Sequence, residues 1–392
     1  MSSNLPFDSS LPEDFSVFAS DPQSLTCKAA ARFQVTPQQF SSWLWQMRHQ
    51  LQEEADFGKG FTFSLSASEK DGFTDLKELF KAGVTPYYAA LMDENNPNCP
   101  IRLQALPRAE EKEDRLGCAD PLEEILHSPV PEVVHLYPDR VAFCVAMLCP
   151  VYCRYCYRKR RDEEEGLHYN RRIIDKGIEY IASNSAIKDV LITGGDPFIA
   201  SDSSIEQLLK RLREIPHIEI IRFGTRTPVT LPYRVTRRLG QILAKYHPVW
   251  VNTHFNCEEE LTPEACQAIA NLADNGIPVG NQSVLLRGVN DSLERMKGLC
   301  RALVRNRVRP YYLFHPHLVE GTEHLRSSVK TGLEIIKGLR GQVSGFAIPT
   351  YIVDSPSGKI PIYPEYRLGS SQEDLLLENN HGEIWRERGA WT

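Results

Sequence analysis

The sequence lacks the features of membrane-spanning, secreted or nucleic-acid-binding proteins. No apolar run in the 392 residues approaches the roughly 20 residues of a membrane-spanning helix. The opening residues M-S-S-N-L-P-F-D-S-S contain neither the basic nor the apolar part of a signal peptide. The net charge is −6, which gives no nucleic-acid signal. Ten cysteines without an extracellular cue indicate reduced thiols. We therefore expect a cytoplasmic protein with no membrane and no nucleic-acid partner.

Seven of the ten cysteines are scattered, and a disulfide among the other three is disfavoured because three cysteines cannot pair evenly. Only Cys149, Cys153 and Cys156 cluster, in the stretch C-P-V-Y-C-R-Y-C, and no second C-x-x-C pair follows as most zinc sites require. An iron–sulfur cube usually takes four cysteines, so three leave one iron open to an exchangeable ligand. Packing roles for these cysteines are disfavoured, because Arg154 and Arg158 share the loop. The spacing favours an iron–sulfur cluster, with zinc as the alternative.

From residue 141 onward, short apolar strands alternate with amphipathic helices at intervals near thirty residues. Units of this kind predict parallel strands with helices outside them. The strands are expected at Val141–Leu148, Asp189–Gly195, Glu219–Thr225, Val249–Phe255, Val279–Leu285 and Val308–Phe314. The helices are expected at Arg171–Ala182, Ser204–Arg213, Arg234–Lys245, Thr262–Asn275, Ser292–Arg305 and Ser327–Leu339. Six units predict an α/β protein with a partial (β/α)6 barrel.

Two further segments flank the predicted barrel, which we assign to residues 132–342. Residues 1–131 are expected to form a mainly helical extension, with helices at Pro37–Gln52 and over residues 73–92. Residues 343–392 form a C-terminal segment that is expected to begin with a strand at Val343–Pro349.

Polar residues follow every predicted barrel strand, where the active sites of such barrels lie. Cys149 follows the first strand, and the turn Gly194–Pro197 follows the second. The remaining strand ends carry Arg226, His254, Gln282 and His315–His317. All six strand ends thus predict one shared site.

These residues together resemble the lysine 2,3-aminomutase family of radical S-adenosylmethionine (SAM) enzymes. The C-x3-C-x2-C spacing, with Tyr155 before the last cysteine, resembles the wider radical-SAM superfamily. The resemblance to the family covers about residues 40–368. It rests on Y-P-D-R (137–140), T-G-G-D-P (193–197), R-T-P-V (226–229), Y-H-P-V-W-V-N-T-H-F-N (246–256), V-G-N-Q-S-V-L-L-R-G-V-N-D (279–291), V-R-P-Y-Y (308–312) and D-S-P-S-G-K-I-P (354–361).

The resemblance implies three cofactors: a [4Fe–4S] cluster on Cys149, Cys153 and Cys156, SAM, and pyridoxal 5'-phosphate (PLP). Lys359 matches the catalytic lysine that forms a Schiff base with PLP, and Arg140 matches an arginine that holds the PLP phosphate.

Other positions are implied to bind the substrate or the cofactors. Arg158 matches the arginine that grips the substrate α-carboxylate. The turn at 194–196 resembles the one that meets the amino end of SAM. The further cofactor-binding residues implied are Tyr155, Gly194, Gly195, Asp196 and Gln282.

The chain departs from the family pattern at the far end of the substrate. The lysine enzymes bind the distal ammonium with two aspartates, of which Asp354 matches one, while His317 stands at the other position. Imidazole is a poor substitute for a carboxylate facing an ammonium, and a lost buried charged contact costs on the order of 2–5 kcal/mol. The loop from Asp354 to Lys359 is also shorter than in the family. We therefore expect a substrate other than lysine.

Two smaller departures concern the phosphate and zinc. Leu136 replaces an arginine of the family's H-R-Y-P-D-R motif. The tail after residue 369 lacks the cysteine cluster with which the lysine enzymes bind zinc, and Ser292 stands where their remaining cysteine would be. The sequence therefore predicts no zinc.

The resemblance implies an isomerase, an amino acid 2,3-aminomutase that moves an α-amino group to the β-carbon by radical chemistry. The alternatives are lysine 2,3-aminomutase proper, a PLP-independent radical-SAM enzyme, and a non-catalytic iron–sulfur binding module. The expected partners are a small-molecule amino acid, an electron donor such as a flavodoxin or ferredoxin, and a second copy of the chain in a homo-oligomer.

Overall fold

A nine-stranded sheet forms the centre of the computed structural model, which describes residues 13–58, 64–76, 80–159, 169–371, 374–379 and 382–387. The strand bounds are β1 Val133–Tyr137, β2 Arg140–Ala146, β3 Asp189–Gly194, β4 Ile220–Gly224, β5 Val249–Thr253, β6 Val279–Val284, β7 Val308–Phe314, β8 Thr350–Ser355 and β9 Gly358–Pro361. The strands follow one another in chain order, from β1 at one edge to β9 at the other. Strands β2 to β8 run parallel, and β1 and β9 pair antiparallel with their neighbours.

The N-terminal extension consists of short helices rather than the two long ones predicted. The Ser42 side chain accepts the N–H of Trp45 and starts a new helix, so Pro37–Gln52 is interrupted. Within residues 73–92, one helix ends at Asp75 and another begins at Pro86, with 77–79 outside the described residues. The helices are α1 Ser16–Ser20, α2 Leu25–Arg32, α3 Pro37–Phe40, α4 Trp43–Arg48, α5 Ala67–Asp75, α6 Pro86–Ala89 and α7 Pro100–Ala105.

Helices connect the parallel strands, and the six predicted strand–helix units are confirmed. The long helices among them begin after a residue whose side-chain oxygen accepts a backbone N–H of the first turn, as Thr262 does from Ala265 at 3.1 Å. Helix Arg171–Ser183 is amphipathic as predicted, because Ile174, Ile178 and Ile181 are buried at helical spacing along one face. In chain order the helices are α8 Arg171–Ser183, α9 Asp202–Arg213, α10 Thr227–Thr230, α11 Arg237–Ala244, α12 Pro263–Ala273, α13 Leu293–Arg305 and α14 Val329–Leu339.

The C-terminal segment also differs from the prediction. The predicted strand Val343–Pro349 is wrong, because Ser344 caps a 3-10 turn at Gly345–Ala347 and β8 begins only at Thr350. Strand β8 adds a seventh parallel strand to the predicted six. A separate three-stranded antiparallel sheet follows, made of β10 Arg367–Ser371, β11 Asp374–Glu378 and β12 Ile384–Glu387.

One contiguous hydrophobic core joins the N-terminal helices to the barrel. Phe40 and Tyr87 of the extension belong to the same buried cluster as Phe143 and Leu313 of the strands. Polar contacts cross the same boundary, such as the 2.8 Å hydrogen bond from Thr26 to the carboxylate of Glu264. No helix of the described part is long and apolar enough to cross a membrane. The boundaries at residues 131 and 342 stay a prediction.

Candidate active site

A cavity of about 710 Å³ is lined by the barrel strands along their length, from Arg140 and Asp189 at amino ends to Gly194 and Thr225 at carboxyl ends. Its size is that of a typical cofactor or ligand pocket, about 300–1,000 Å³. Its lining includes every residue to which the sequence analysis gave a catalytic, cluster, cofactor or substrate role. The structure therefore brings together Arg140, Cys149, Cys153, Tyr155, Cys156, Arg158, Gly194, Gly195, Asp196, Gln282, His317, Asp354 and Lys359.

The N-terminal extension holds the backbone of the cysteine loop. The side-chain amide of Gln50 donates to the carbonyl oxygens of Cys149 and Pro150, each at 2.8 Å. Further along, the N–H of Arg154 donates to the carbonyl of Gln104 at 2.9 Å. The loop is thus fixed from outside the barrel by the side chain of Gln50 and the backbone carbonyl of Gln104, which no local sequence signal marks.

A buried ion pair fixes the middle of the same loop. The Arg154 guanidinium donates to both carboxylate oxygens of Glu111, at 2.7 and 2.6 Å, and both side chains are at most 2% exposed. This bidentate geometry is the strong form of the charged hydrogen bond. Arg154 therefore serves the loop structurally, and it leaves the thiols on either side facing the cavity.

The three thiols fit an iron–sulfur cluster better than a single metal ion. Cys149, Cys153 and Cys156 are half-buried and line the cavity. Among the described residues, no three His, Cys, Asp or Glu side chains converge as ligands for one ion. A four-iron cluster places each cysteine on a different iron, so its ligands need not converge. Cys153 also accepts an N–H from Arg226 at 2.7 Å.

The turn after β3 is shaped by its neighbour, the end of β2. Gly194 has a φ of +122°, which favours glycine, and a side chain there would strike the carbonyl of Ala146. A Cβ on Gly195 would lie 2.5 Å from the carbonyl oxygen of Leu148. Both glycines are thus required by backbone packing directly before the cysteine loop. Their predicted contact with SAM stays a prediction.

Asp196 ties the end of β3 to the end of β4. Its carboxylate accepts hydrogen bonds from the Thr225 hydroxyl at 2.6 Å, the Arg226 N–H at 2.8 Å and the Phe198 N–H at 3.1 Å. Burial raises the pKa of this carboxyl in spite of these bonds. Asp196 is only 3% exposed, and these contacts engage both of its oxygens. The geometry therefore supports a positioning role more than the predicted SAM contact.

Tyr155 belongs to a buried polar network beside the predicted cluster cysteines. Its hydroxyl accepts the Asn256 amide at 2.8 Å, and its ring stacks on His254 with centroids 5.5 Å apart. Burial and the neighbouring Arg226 charge lower the pKa of His254 to about 3. That imidazole is therefore neutral at physiological pH, and it gives the cavity wall a flat, uncharged face.

Arg158 points into the cavity with its guanidinium already engaged. It donates to both oxygens of Glu124, with Nη2 to Oε1 at 2.6 Å and Nε to Oε2 at 3.0 Å. Its Nη1 donates to the Thr193 hydroxyl at 3.3 Å. The Glu124 carboxylate is thus already paired with Arg158, the residue predicted to bind the α-carboxylate of the substrate. Sequence reasoning missed Glu124, which lies in a loop 34 residues before its partner.

Lys359, Asp354 and His317 meet on the cavity wall, where the His317 ring lies 4.7 Å from the Tyr157 ring. Lys359 Nζ lies 3.2 Å from Asp354 Oδ2, and His317 Nε2 lies 3.5 Å from the same oxygen. Burial by itself raises the pKa of Asp354, but His317 and the Lys359 charge outweigh it and hold that pKa below its usual value. His317 Nε2 is buried without a well-formed hydrogen bond. Lys359 is 36% exposed at its side chain, so its amine is accessible from the cavity.

Known proteins resemble this chain over most of its length. A family model described as Radical SAM superfamily matches residues 145–300, and one described as Lysine-2,3-aminomutase matches residues 336–388. The chain is 46% identical to L-lysine 2,3-aminomutase of Fusobacterium nucleatum, over 89% of this chain and 83% of that protein. It is 45% identical to the Bacillus subtilis protein of the same name, over 89% and 74%. It is 39% identical to glutamate 2,3-aminomutase of Clostridioides difficile, over 89% and 83%.

The chain belongs to the lysine 2,3-aminomutase family. It is therefore a radical-SAM isomerase that uses a [4Fe–4S] cluster and SAM. These findings confirm the predicted fold, enzyme class and two of the three predicted cofactors. They also exclude the non-catalytic binding module.

Arg140 and Gln282 complete the aminomutase cavity. Arg140 begins β2, pairs with Asp139 at 2.9 Å and lies over the Tyr137 ring at 3.8 Å. Its side chain is 40% exposed, so it remains open to an incoming anion. Gln282, in β6, is half-buried and lines the same cavity. Their roles toward a cofactor stay predictions.

Proposed function

We propose that this chain is a PLP-dependent 2,3-aminomutase that moves the α-amino group of a free amino acid to its β-carbon. The observation that supports it is the position of Lys359 and Arg140 on the same cavity as the three cluster cysteines. A lysine amine condenses with an aldehyde, and an arginine fork suits a phosphate. When bound, PLP would hold the migrating amino group and delocalise an unpaired electron beside it, and SAM would supply the radical, chemistry that side chains lack.

Asp354 prepares Lys359 for this role. Its carboxylate is ionised at neutral pH, because its pKa lies below the usual value, and it holds the lysine amine 3.2 Å away. The two residues are paired directly across the hairpin of β8 and β9, so their side chains share one face of the sheet. The hairpin thereby fixes the direction in which the amine points.

Arg158 anchors the other end of the substrate in this proposal. Its guanidinium can present a bidentate face to a carboxylate, and Glu124 now holds that face. A substrate α-carboxylate would therefore compete with Glu124 or share the guanidinium with it. Water exclusion is provided by the buried walls of the cavity, including Tyr155 and Phe314.

His317 and Asp354 set the side-chain preference of the proposed reaction. One carboxylate and one imidazole provide less negative charge than the two aspartates that the family resemblance implies for lysine. We therefore propose an amino acid whose side chain ends in a polar group other than an ammonium. Lysine is the second candidate, and the carboxylate of Asp354 favours it. The His317→Asp variant would restore the second carboxylate.

The substrate test is anaerobic incubation of the enzyme with lysine, glutamate, glutamine and the other common amino acids. The enzyme is first reconstituted with iron, sulfide, PLP and SAM and then reduced, and β-isomers are detected by mass spectrometry. A non-lysine substrate turned over best, with lysine turnover raised by His317→Asp, supports the proposal. Best turnover of lysine by the unmodified enzyme overturns the substrate part of it.

The PLP part of the proposal has a separate spectroscopic test. The enzyme is expected to show the absorbance band of lysine-bound pyridoxal, and Lys359→Ala is expected to lose it. Lys330→Ala serves as the matched control, because that lysine is 86% exposed and remote from the cavity lining. An unmodified enzyme that shows no band would instead favour a PLP-independent radical-SAM enzyme.

A further inference from the structure

Arg226 follows β4 and reaches a cluster cysteine with an unusually complete set of contacts. Its guanidinium is 9% exposed. Nη1 donates to the Cys153 sulfur at 2.7 Å, and Nε donates to the carbonyl of His254 at 3.2 Å. Nη2 donates to Glu260 at 2.6 Å, Gln104 at 2.6 Å and Tyr88 at 2.9 Å. The side chain therefore has no freedom to leave the sulfur.

The surroundings of Arg226 are themselves fixed. Its backbone N–H is held by Asp196. Glu260, which is fully buried, accepts the Asn256 N–H at 2.6 Å and the Tyr88 hydroxyl at 2.7 Å. The positive charge of Arg226 is thus held against Cys153, and the negative charge of Glu260 is held against Arg226.

We propose that Arg226 is a positioning residue that raises the reduction potential of the cluster by donating a hydrogen bond to Cys153. This inference rests on the proposed assignment of Cys153 as a cluster ligand. Hydrogen bonds to the sulfurs and nearby charges are among the factors that set the potential of iron–sulfur clusters. A donor N–H and a positive charge stabilise the cluster more after it gains an electron, because its negative charge is then larger.

The step concerned is the transfer of one electron from a low-potential donor, which takes the cluster from the 2+ to the 1+ state. No bond is made or broken, and no proton is transferred. Arg226 favours the product of this step. Glu260 opposes it, because its carboxylate partly cancels the field of the guanidinium. The two residues are therefore expected to act on the potential with opposite signs.

The test is an EPR-monitored redox titration of the reconstituted protein, without SAM or substrate, so that turnover does not enter. Arg226→Gln is expected to lower the ratio of reduced to oxidised cluster about tenfold at a fixed solution potential, which equals 59 mV for a one-electron couple. Glu260→Gln is expected to shift the ratio in the opposite direction. Arg226→Lys keeps the charge and is expected to lie between Arg226→Gln and the unmodified protein.

Arg102→Gln is the matched control for loss of a buried ion pair. Arg102 and Glu69 are both fully buried and 2.5 Å apart, and Arg102 also donates to the carbonyl oxygens of Asp93 and Glu94, outside the cysteine loop. This variant is expected to lose stability without changing the potential.

Three results would overturn the proposal. The first is an unchanged potential in Arg226→Gln at full iron content. The second is a shift of the same sign in Arg226→Gln and Glu260→Gln, which would indicate general loosening of the site. The third applies if Arg226→Gln fails to hold iron: the potential is then unchanged in both Glu260→Gln and Arg226→Lys. A Cys153→Ala variant that keeps the full EPR signal would instead refute the ligand assignment beneath the proposal.

Discussion

The backbone N–H of Lys359 donates a hydrogen bond to the phenolic oxygen of Tyr137 at 2.8 Å. Tyr137 ends β1 and Lys359 lies in β9, so this bond joins the two edge strands of the sheet. Gly358 makes the approach possible, because its φ is +128° and a Cβ there would lie 2.8 Å from the same oxygen. The lysine proposed to bind PLP is thus held by the opposite edge of the sheet.

The Tyr137→Phe variant should loosen β9 and weaken PLP binding. Loss of one hydrogen bond is expected to lower the free energy of unfolding by about 0.5–1.5 kcal/mol. Urea denaturation measures the stability, and titration of the lysine-bound pyridoxal band measures the affinity. Tyr363→Phe is the control, because that ring is 61% exposed and we expect no change. Equal PLP affinity in Tyr137→Phe and the unmodified protein would refute the positioning role.

Asp354 should stabilise the fold at neutral pH and lose this effect in acid. Its pKa is lower in the folded state than in the unfolded chain, so the folded state binds fewer protons. The contribution is therefore complete above the ordinary aspartate pKa, about 3.9, and is lost as the pH falls from there through the lower pKa of the folded state. We expect Asp354→Asn to lower the free energy of unfolding by about 1.5–3 kcal/mol at pH 7.

Urea denaturation at pH 7, 5 and 3.5 tests the Asp354 prediction. The difference between Asp354→Asn and the unmodified protein should shrink at the lowest pH. Asp274→Asn is the matched control, because Asp274 pairs with Arg307 at 2.7 Å but both are half exposed. Its effect should stay below about 1 kcal/mol. A difference for Asp354→Asn that grows on acidification would contradict the predicted direction of the pKa shift.

Glu124 should compete with the substrate for Arg158. Replacing its carboxylate in Glu124→Gln removes the negative charge 2.6 Å from the guanidinium. We expect KM for the amino acid to fall about tenfold, equivalent to 1.4 kcal/mol of binding. Arg158→Lys, which lacks the bidentate fork, should raise KM. If Glu124→Gln also raises KM, Glu124 aims the guanidinium and does not compete for it.

The buried pair of Glu69 and Arg102 should dominate the stability of the N-terminal extension. Glu69 also completes the capping box of α5 by accepting the N–H of Ser66 at 2.7 Å. Glu69→Gln removes the carboxylate that neutralises the buried guanidinium, so we expect a loss of about 3–5 kcal/mol in urea denaturation. Glu334→Gln breaks an exposed pair with Lys330 and should cost less than about 1 kcal/mol. Similar losses in both variants would show that burial does not decide the effect.

The barrel could be predicted because each unit carries its own local signals. The helix expected at Thr262–Asn275 is found at Pro263–Ala273, with Thr262 as its cap. The extension could not be predicted as well, since its helices are short and their ends depend on single polar residues such as Ser42. Edge strand β9 was missed because Pro356 and Ser357, directly before it, predict a loop and give no signal for a following strand.

In the candidate site too, some residues carry a signal in the sequence and others do not. The cysteines carry a local signal in their spacing, whereas Lys359 was assigned only through the family resemblance of the motif D-S-P-S-G-K-I-P. The residues that support the site could not be found, because Gln50 and Glu124 act on residues 99 and 34 positions away. Such contacts depend on how the extension packs on the barrel, and single-sequence patterns carry no information about it. Asp196 shows a further limit, since it lines the cavity while its hydrogen bonds favour a positioning role over the predicted SAM contact.

The order of synthesis gives the Arg226 network a consequence for cluster assembly. Tyr88 and Gln104 precede Arg226 by 138 and 122 residues, so these polar groups leave the ribosome long before their partner. The chain from Cys156 to Arg226 takes roughly 4–14 seconds to synthesise at 5–20 residues per second. During that interval the three thiols exist without the Arg226 guanidinium that contacts Cys153 in the folded chain. An oxidant or a cluster that reached the thiols in that interval would meet them before the Arg226 guanidinium is in place beside Cys153.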